Sequence, residues 1–419
     1  MTGTKLQAEG DQPLRRNRDF RLLWIGSAIS TLGSRVSGIA YPLLVLALTG
    51  SPANAGVVGF AGTLPYLLLQ LPAGALVDRW NRKTVMVVCD VGRGLAIGSL
   101  IVSLFAGSLG LVQIIIVAFV EGSLTVFYSL AEPAAVRHIV RPAQLPAALG
   151  QIEARDRGAA LAGQPLGGFL FGLGFWIPFA ADMLSYLASM AGLLLIRTRF
   201  QSRADRYPRE GQMISDIVTG LVWLWRQPVL RDTTVVVAGS NLLFQAVVLM
   251  VIVAARDLGA SPAMVGLVLA GSGAGGVLGA LAAPFVQRRL SMTRVVIGVN
   301  WVWALLMPVL ALAPDPLLLG ITLGFMAFVG PIWNVAISVY ELTITPDELL
   351  GRVRSVGGVV AWGVMPLGSL LGGYLLDYFG TSPTAIVLAV LMLLIAIGAT
   401  LSPAIRKAGR APLRTVPDP

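Results

Sequence analysis

Apolar residues gather along this chain in long runs that short polar turns interrupt. Twelve runs reach the ~20 residues that a helix needs to cross a hydrocarbon layer. They fall at about 22–48, 53–77, 84–106, 109–131, 147–172, 175–196, 231–254, 262–285, 293–313, 316–342, 353–377 and 382–402. Turns as short as Gly107-Ser108 force neighbouring helices antiparallel. The runs divide six and six around a polar, arginine-rich stretch, Arg197 to Gly211. This predicts a six-helix bundle over residues 1–196, a linker over 197–230 and a second bundle with a tail over 231–419. Within the linker, Ile214, Ile217, Val218, Leu221, Val222 and Trp225 recur at helical spacing. They predict an amphipathic helix on the membrane surface, or an extension of the seventh span.

The two halves echo each other. Gly279-Ala-Leu-Ala-Ala283 takes the place in the eighth span that Gly74-Ala-Leu-Val-Asp78 takes in the second. Arg288 and Arg289 follow the one as Arg82 and Lys83 follow the other, while Ala283 stands where Asp78 stands. The expected fold is an all-α polytopic membrane protein, with twelve transmembrane helices in two pseudo-symmetric six-helix bundles.

Composition removes other classes. Of 419 residues, 56% are hydrophobic and 12% charged, where a soluble chain carries about a quarter charged residues. A net charge of +10 suggests nucleic acid, but the bases are spread between apolar runs and form no single basic face. All but three of the 31 Lys and Arg residues lie in the N-terminal segment, alternate turns with their flanks, the linker and the tail. Arg256 falls on the other side, and Arg35 and Arg93 fall inside spans. Such asymmetry places both termini and the linker in the cytoplasm of a multi-pass cell-membrane protein. The run after Arg21 is too long for the core of a cleaved signal. With one cysteine, Cys89, and one histidine, His138, in a predicted loop, neither a disulfide framework nor a metal cluster is expected. No GxxxxGK[ST] loop occurs, so ATP is not the expected energy source; no cofactor and no enzyme activity are expected.

The turn after the second run carries Gly74, Asp78, Arg79, Arg82 and Lys83 within ten residues. The glycine is expected where two helices come close, the acid facing a helix N-terminus, and the bases holding the turn in the cytoplasm. The order Gly74-x-x-x-Asp78-Arg79-x-x-Arg82-Lys83 resembles the signature loop of major facilitator superfamily transporters. Gly163-Gln164-Pro165-Leu166-Gly167-Gly168 resembles the glycine–proline motif of their antiporters, with Gln164 as a departure. It reads equally as a close-packing patch. Gly351-Arg352-Val353-Arg354-Ser355 and Phe179-Ala-Ala-Asp182-Met-Leu-Ser185-Tyr186 resemble segments of the drug and siderophore exporter branch. The resemblance covers essentially the whole chain. It implies a secondary active exporter of small amphipathic molecules, coupled to protons by alternating access. The implied partners are the lipid bilayer, substrate and protons, in a monomer. A specific metabolite such as a siderophore is an alternative cargo, and a non-transporting receptor or scaffold an alternative class.

Ionisable groups inside spans cost roughly 2.5–3.5 kcal/mol each, so each asks for a reason. Asp90 and Arg93, at i and i+3, are expected to pair. Arg35 meets either an anionic substrate or an acid such as Asp182. Glu121 lies at the middle of the fourth span with no base within a turn. Apolar surroundings disfavour its charged form, which suits a proton carrier; a permanently neutral glutamic acid is the other reading. Asp182 is its rival. Asn241, Gln245 and Asn334, with Asn300 and nearby tryptophans, suit an apolar cavity with a few polar points. Asp78 is expected to contact Gly351 to Ser355, where free N–H groups, Arg352 and Arg354 form a gate, with Glu341 a further gate contact.

Overall fold

In the computed structural model, residues 14–198, 200 and 213–408 are described. The helices are α1 Arg18–Thr49, α2 Pro52–Arg79, α3 Arg82–Phe105, α4 Leu111–Ile139, α5 Leu145–Leu173 and α6 Ile177–Leu195. There follow α7 Met213–Arg226, α8 Pro228–Asp257, α9 Pro262–Gln287, α10 Met292–Ala311, α11 Pro316–Ile344, α12 Asp347–Gly363, α13 Met365–Phe379, α14 Thr381–Leu401 and α15 Pro403–Ala408. Among the described residues no strand forms.

The chain marks its own helix starts. Side chains of Asn17, Ser51, Asn81, Ser261 and Asp315 each accept a bond from a first-turn N–H of the helix they precede, satisfying donors that the helix itself leaves free. Gly50, at φ 67°, ends α1 in the left-handed conformation and turns the chain into α2.

Among the described residues, eleven helical segments are long and apolar enough to cross a membrane. The other long helix, α5, carries Glu153, Arg155, Asp156 and Arg157 in its first half. The eleventh span is broken at Val364 into α12 and α13. Leu95, Val102, Phe285 and Leu305 point apolar side chains outward, as lipid contact requires.

Packing repeats with a period of six spans. In the first half α1 packs on α5 and α6, α2 on α4, and α3 on α4 and α6. In the second, α8 packs on α12, α13 and α14, α9 on α11, and α10 on α11 and α14. The halves meet mainly through α5 against α9 and α2 against α13. Gly168 lies against Gly266 in the first contact and Gly56 against Gly373 in the second, where any side chain would collide with backbone.

The linker's middle lies outside the described residues, but its helix, α7, is separate from the seventh span. Gln227 and Pro228 break the chain between them. Leu224 joins Leu230 and Val353 in a small apolar cluster, and Gly220 sits on the backbone of Arg352. The face with Val218, Val222 and Trp225 stays exposed.

Candidate functional site

A cavity of about 580 Å³ lies between the halves. Its wall runs from Ala55 and Ile252 toward the end without termini to Glu132, Arg155 and Asp156 toward the end with them. At the end without termini, Asp377 of α13 accepts bonds from Ser51 Oγ (2.7 Å) and Ala53 N (3.3 Å) at the start of α2. Arg256 donates to the carbonyl of Leu46 at 3.1 Å.

Glu121 reaches this cavity from α4. Tyr41 of α1 donates to one carboxylate oxygen at 2.6 Å and Tyr186 of α6 to the other at 2.9 Å. A phenol both donates and accepts, so this pair serves the carboxylate and the carboxylic acid alike. Gly122 lets α4 approach α2 until a Cβ would run into the Gly62 carbonyl.

Behind the phenols lies Arg93. Its guanidinium stands 4.6 Å from the ring centre of Tyr128 and 4.4 Å from that of Tyr186. It also pairs with Asp90 at 2.5 Å, the predicted i, i+3 contact. Both rings offer their negative faces to the cation. Ser27 Oγ lies 2.9 Å from the Tyr128 hydroxyl.

Asp182 is fully buried and outside the cavity wall. It accepts from Ser37 at 2.5 Å and Ser185 at 3.2 Å, in space that Gly33 leaves open for it. The suggested Arg35–Asp182 pair does not form. Arg35 instead lines the cavity.

Nearer the end with the termini, Glu132 takes a two-pronged bond from Arg155 at 2.6 and 3.1 Å. Asp156 accepts from the same guanidinium at 2.8 and 2.9 Å. Sequence reasoning passed over this cluster, and over Tyr41 and Tyr128. One signal was present: Glu132 follows Glu121 by eleven residues, three helical turns, so both face one way.

The structure also places the other residues that the sequence singled out, and some of them differ from expectation. The surroundings of Gly74 are open, with no helix near a Cβ placed there. The close approach occurs at its counterpart Gly279, against the Phe328 carbonyl. Arg82 donates to His138 at 2.6 Å and to the Phe200 carbonyl at 3.1 Å. Lys83 donates to the carbonyls of Leu194 (3.3 Å), in the last turn of α6, and Ile196 (2.7 Å), just past it. Both bases therefore tie the first half together, and His138 sits in the last turn of α4, not in a loop. Arg79 is exposed, and the Asp78 side chain lies outside the described residues.

Gly351 to Ser355 do not offer free N–H groups, because α12 begins four residues earlier, at Asp347. Glu341 lies 3.7 Å from Arg354 within the second half. Gln245 lines the cavity, whereas Asn241 and Asn334 do not. Asn241 donates to the Ala361 carbonyl at 2.7 Å, joining α8 to α12, and Asn334 is exposed. Trp303 and Trp333 stack in the core of the second half, ring centres 5.5 Å apart. In the glycine–proline motif, Gly163 and Gly167 pack on α1 and Gly168 on α9, so α5 is pinned from both sides.

A family model described as transmembrane secretion effector matches residues 10–417. The chain belongs to this family, within the major facilitator superfamily. It is 29% identical over 406 residues to the multidrug efflux pump Tap of Mycolicibacterium fortuitum, covering 92% of this chain and 96% of that one. It is 27% identical over 418 residues to Tap of Mycobacterium tuberculosis, covering 95% and 96%. Among solved structures, the nucleoside transporter NupG superposes with a TM-score of 0.75 at 12% identity, over 91% of this chain and 99% of that one. A bacterial homolog of the human lysosomal transporter Spinster, inward-facing and occupied, gives 0.74 at 13% identity, over 97% and 100%. These two likenesses concern the fold. The resemblance read from the loop signature is thus supported along the whole chain, and the protein is a multi-pass membrane protein of a transporter superfamily.

Proposed function

We propose that this transporter exports small amphipathic molecules by proton antiport, with Glu121 as the proton carrier. The observation that carries the reading is the placement of Glu121: a carboxyl group on the wall of the central cavity, held by two phenols beside Arg93. A carrier must be reachable and able to exist in both protonation states. Glu121 has the cavity on one side and reversible hydrogen-bond partners on the other. Two relatives named as multidrug efflux pumps support the direction and the cargo class.

Alternating access is the mechanism proposed, with residues 1–196 and 231–419 as two bodies rocking about the cavity and both termini in the cytoplasm. The repeat of packing contacts between the halves and the one-sided distribution of bases support it. In this arrangement the sealed end is the outer one, and the cavity stands toward the cytoplasm. Proton arrival at Glu121 releases the phenols from holding a charge, and its departure restores them. The working unit in this reading is a monomer.

The test uses proteoliposomes with an imposed pH gradient. Glu121→Gln is expected to abolish uphill export while downhill exchange continues. Glu121→Asp should keep coupling and shift the pH optimum. A Glu121→Gln protein that still concentrates substrate against its gradient overturns the assignment.

A further inference from the structure

Three arginines line the central cavity, and two of them are already neutralised. Arg93 pairs with Asp90 and is sandwiched between two rings. Arg155 is gripped by Glu132 and Asp156. Arg35 is different. Among the described residues no carboxylate pairs with it and no hydrogen bond engages it, although it stands exposed on the cavity wall. The cavity's own carboxylates are committed elsewhere, Glu121 to phenols and the other two to Arg155.

The surroundings suit a ligand. Gly163 of α5 covers the root of the Arg35 side chain so closely that a Cβ there would collide with it. The root is therefore fixed. One turn further along α1, Gly38 is exposed with nothing within 4 Å of where a side chain would begin. This leaves room beside the guanidinium for the body of a bound molecule. Thr31, a turn before, shares the wall, as does Tyr66.

We propose that Arg35 is the anion-recognising point of the cavity, so that the preferred cargo is an amphipathic molecule bearing one negatively charged oxyanion group. A guanidinium presents a planar fork of donors that matches a carboxylate or sulfonate with two parallel bonds. This contact favours an anionic cargo, and the same charge repels a cationic one. The apolar stretch of wall formed by Val58, Val248, Leu249, Ile252 and Leu269 receives the rest of the molecule. This inference rests on the export reading and narrows it.

Fluorescein and rhodamine 123 share a xanthene frame and differ in the sign of their charge, which makes them a matched pair of probes. Proteoliposomes holding the wild-type protein are expected to transport fluorescein in preference. Arg35→Gln should weaken fluorescein transport by about tenfold or more, through its KM, since a charge-assisted bond is lost. Rhodamine 123 transport should be unchanged or improved, and Arg35→Lys should lie between. Wild-type protein that moves rhodamine 123 but not fluorescein overturns the inference and leaves the export reading standing. Equal loss of both dyes in Arg35→Gln also overturns it, because Arg35 would then be structural. Movement of neither dye, nor of any molecule in a wider amphiphile panel, removes the export reading and the inference with it.

Discussion

The interiors of the two halves differ more than their packing does. Among the described residues every buried charged side chain lies in the first half: Arg82, Asp90, Arg93, Glu121, Glu132, Arg155 and Asp182. Buried polar groups of the second half are hydroxyls and Asn300. They also behave differently. Thr233, Ser240 and Thr384 turn back to a carbonyl four residues earlier, at 2.7–2.8 Å, and Asn300 does the same. In the first half Ser37 reaches Asp182 on another helix, and Ser34 and Ser27 reach Tyr186 and Tyr128. Ser34 and Ser37 also bond back to local carbonyls, and Ser240 comes within 3.5 Å of Asn300. Among the described residues, however, the short buried bonds between helices to a carboxylate or phenol lie in the first half. A buried charge requires partners, and partners close at hand are other buried groups. Grouping them in one body leaves the second with an interior of apolar groups, hydroxyls and one amide.

The largest expected break in this contrast is Arg93→Leu. It strands Asp90 in the interior and should lower stability by about 3–5 kcal/mol, read as thermal unfolding in mild detergent. Adding Asp90→Asn should recover much of the loss. Asn300→Leu, its nearest equivalent in the second half, should cost far less; equal costs would erase the distinction between the two interiors.

Serines sharpen it next. Ser37→Ala removes a bond to a carboxylate and should cost about 1.5–3 kcal/mol. Ser240→Ala loses mainly a local backbone contact and should stay within about 0.5 kcal/mol. Double-variant cycles with Asp182→Asn would show whether the first effect runs through that carboxylate.

Glycines at repeat-equivalent positions give a comparable pair. Gly279→Ala drives a methyl into the Phe328 carbonyl and should destabilise by about 1–3 kcal/mol. Gly74→Ala meets open space and should be neutral or slightly stabilising, as alanine suits a helix better. Unfolding curves of the two variants, measured side by side, decide this.

Smallest is the contact that joins the halves. Asp377→Asn weakens an anion at the start of α2, an effect of about 0.3–2 kcal/mol, enough to shift a balance between two conformations. A cysteine introduced as Val58→Cys in a Cys89→Ala background should then label faster from the end without termini. Unchanged labelling would mean that the Asp377 contact does not hold that end shut.

Much of this protein was legible from its pattern. Apolar runs separated by short turns leave a chain little choice but spanning helices, because backbone groups in a bilayer must bond within their own segment. The Asp90–Arg93 pair was legible for the same reason, as both residues sit on one turn of one helix. The family signature was written in a single turn, and Glu121 and Gln245, legible as polar groups inside spans, both line the cavity.

What the tertiary structure decided is which groups on different helices meet. Tyr41 and Tyr186 lie 80 and 65 residues from Glu121, and no local spacing links them. Asp182 chose two serines over Arg35, and Arg155 chose Glu132, because helix rotation and depth set those distances. Gly74 and Gly279 match in sequence, yet only one touches a neighbour, since a repeat preserves a motif without preserving the approach of the helix beside it. Periodicity fixes the face of each helix; only the packing of twelve helices selects which faces share a cavity.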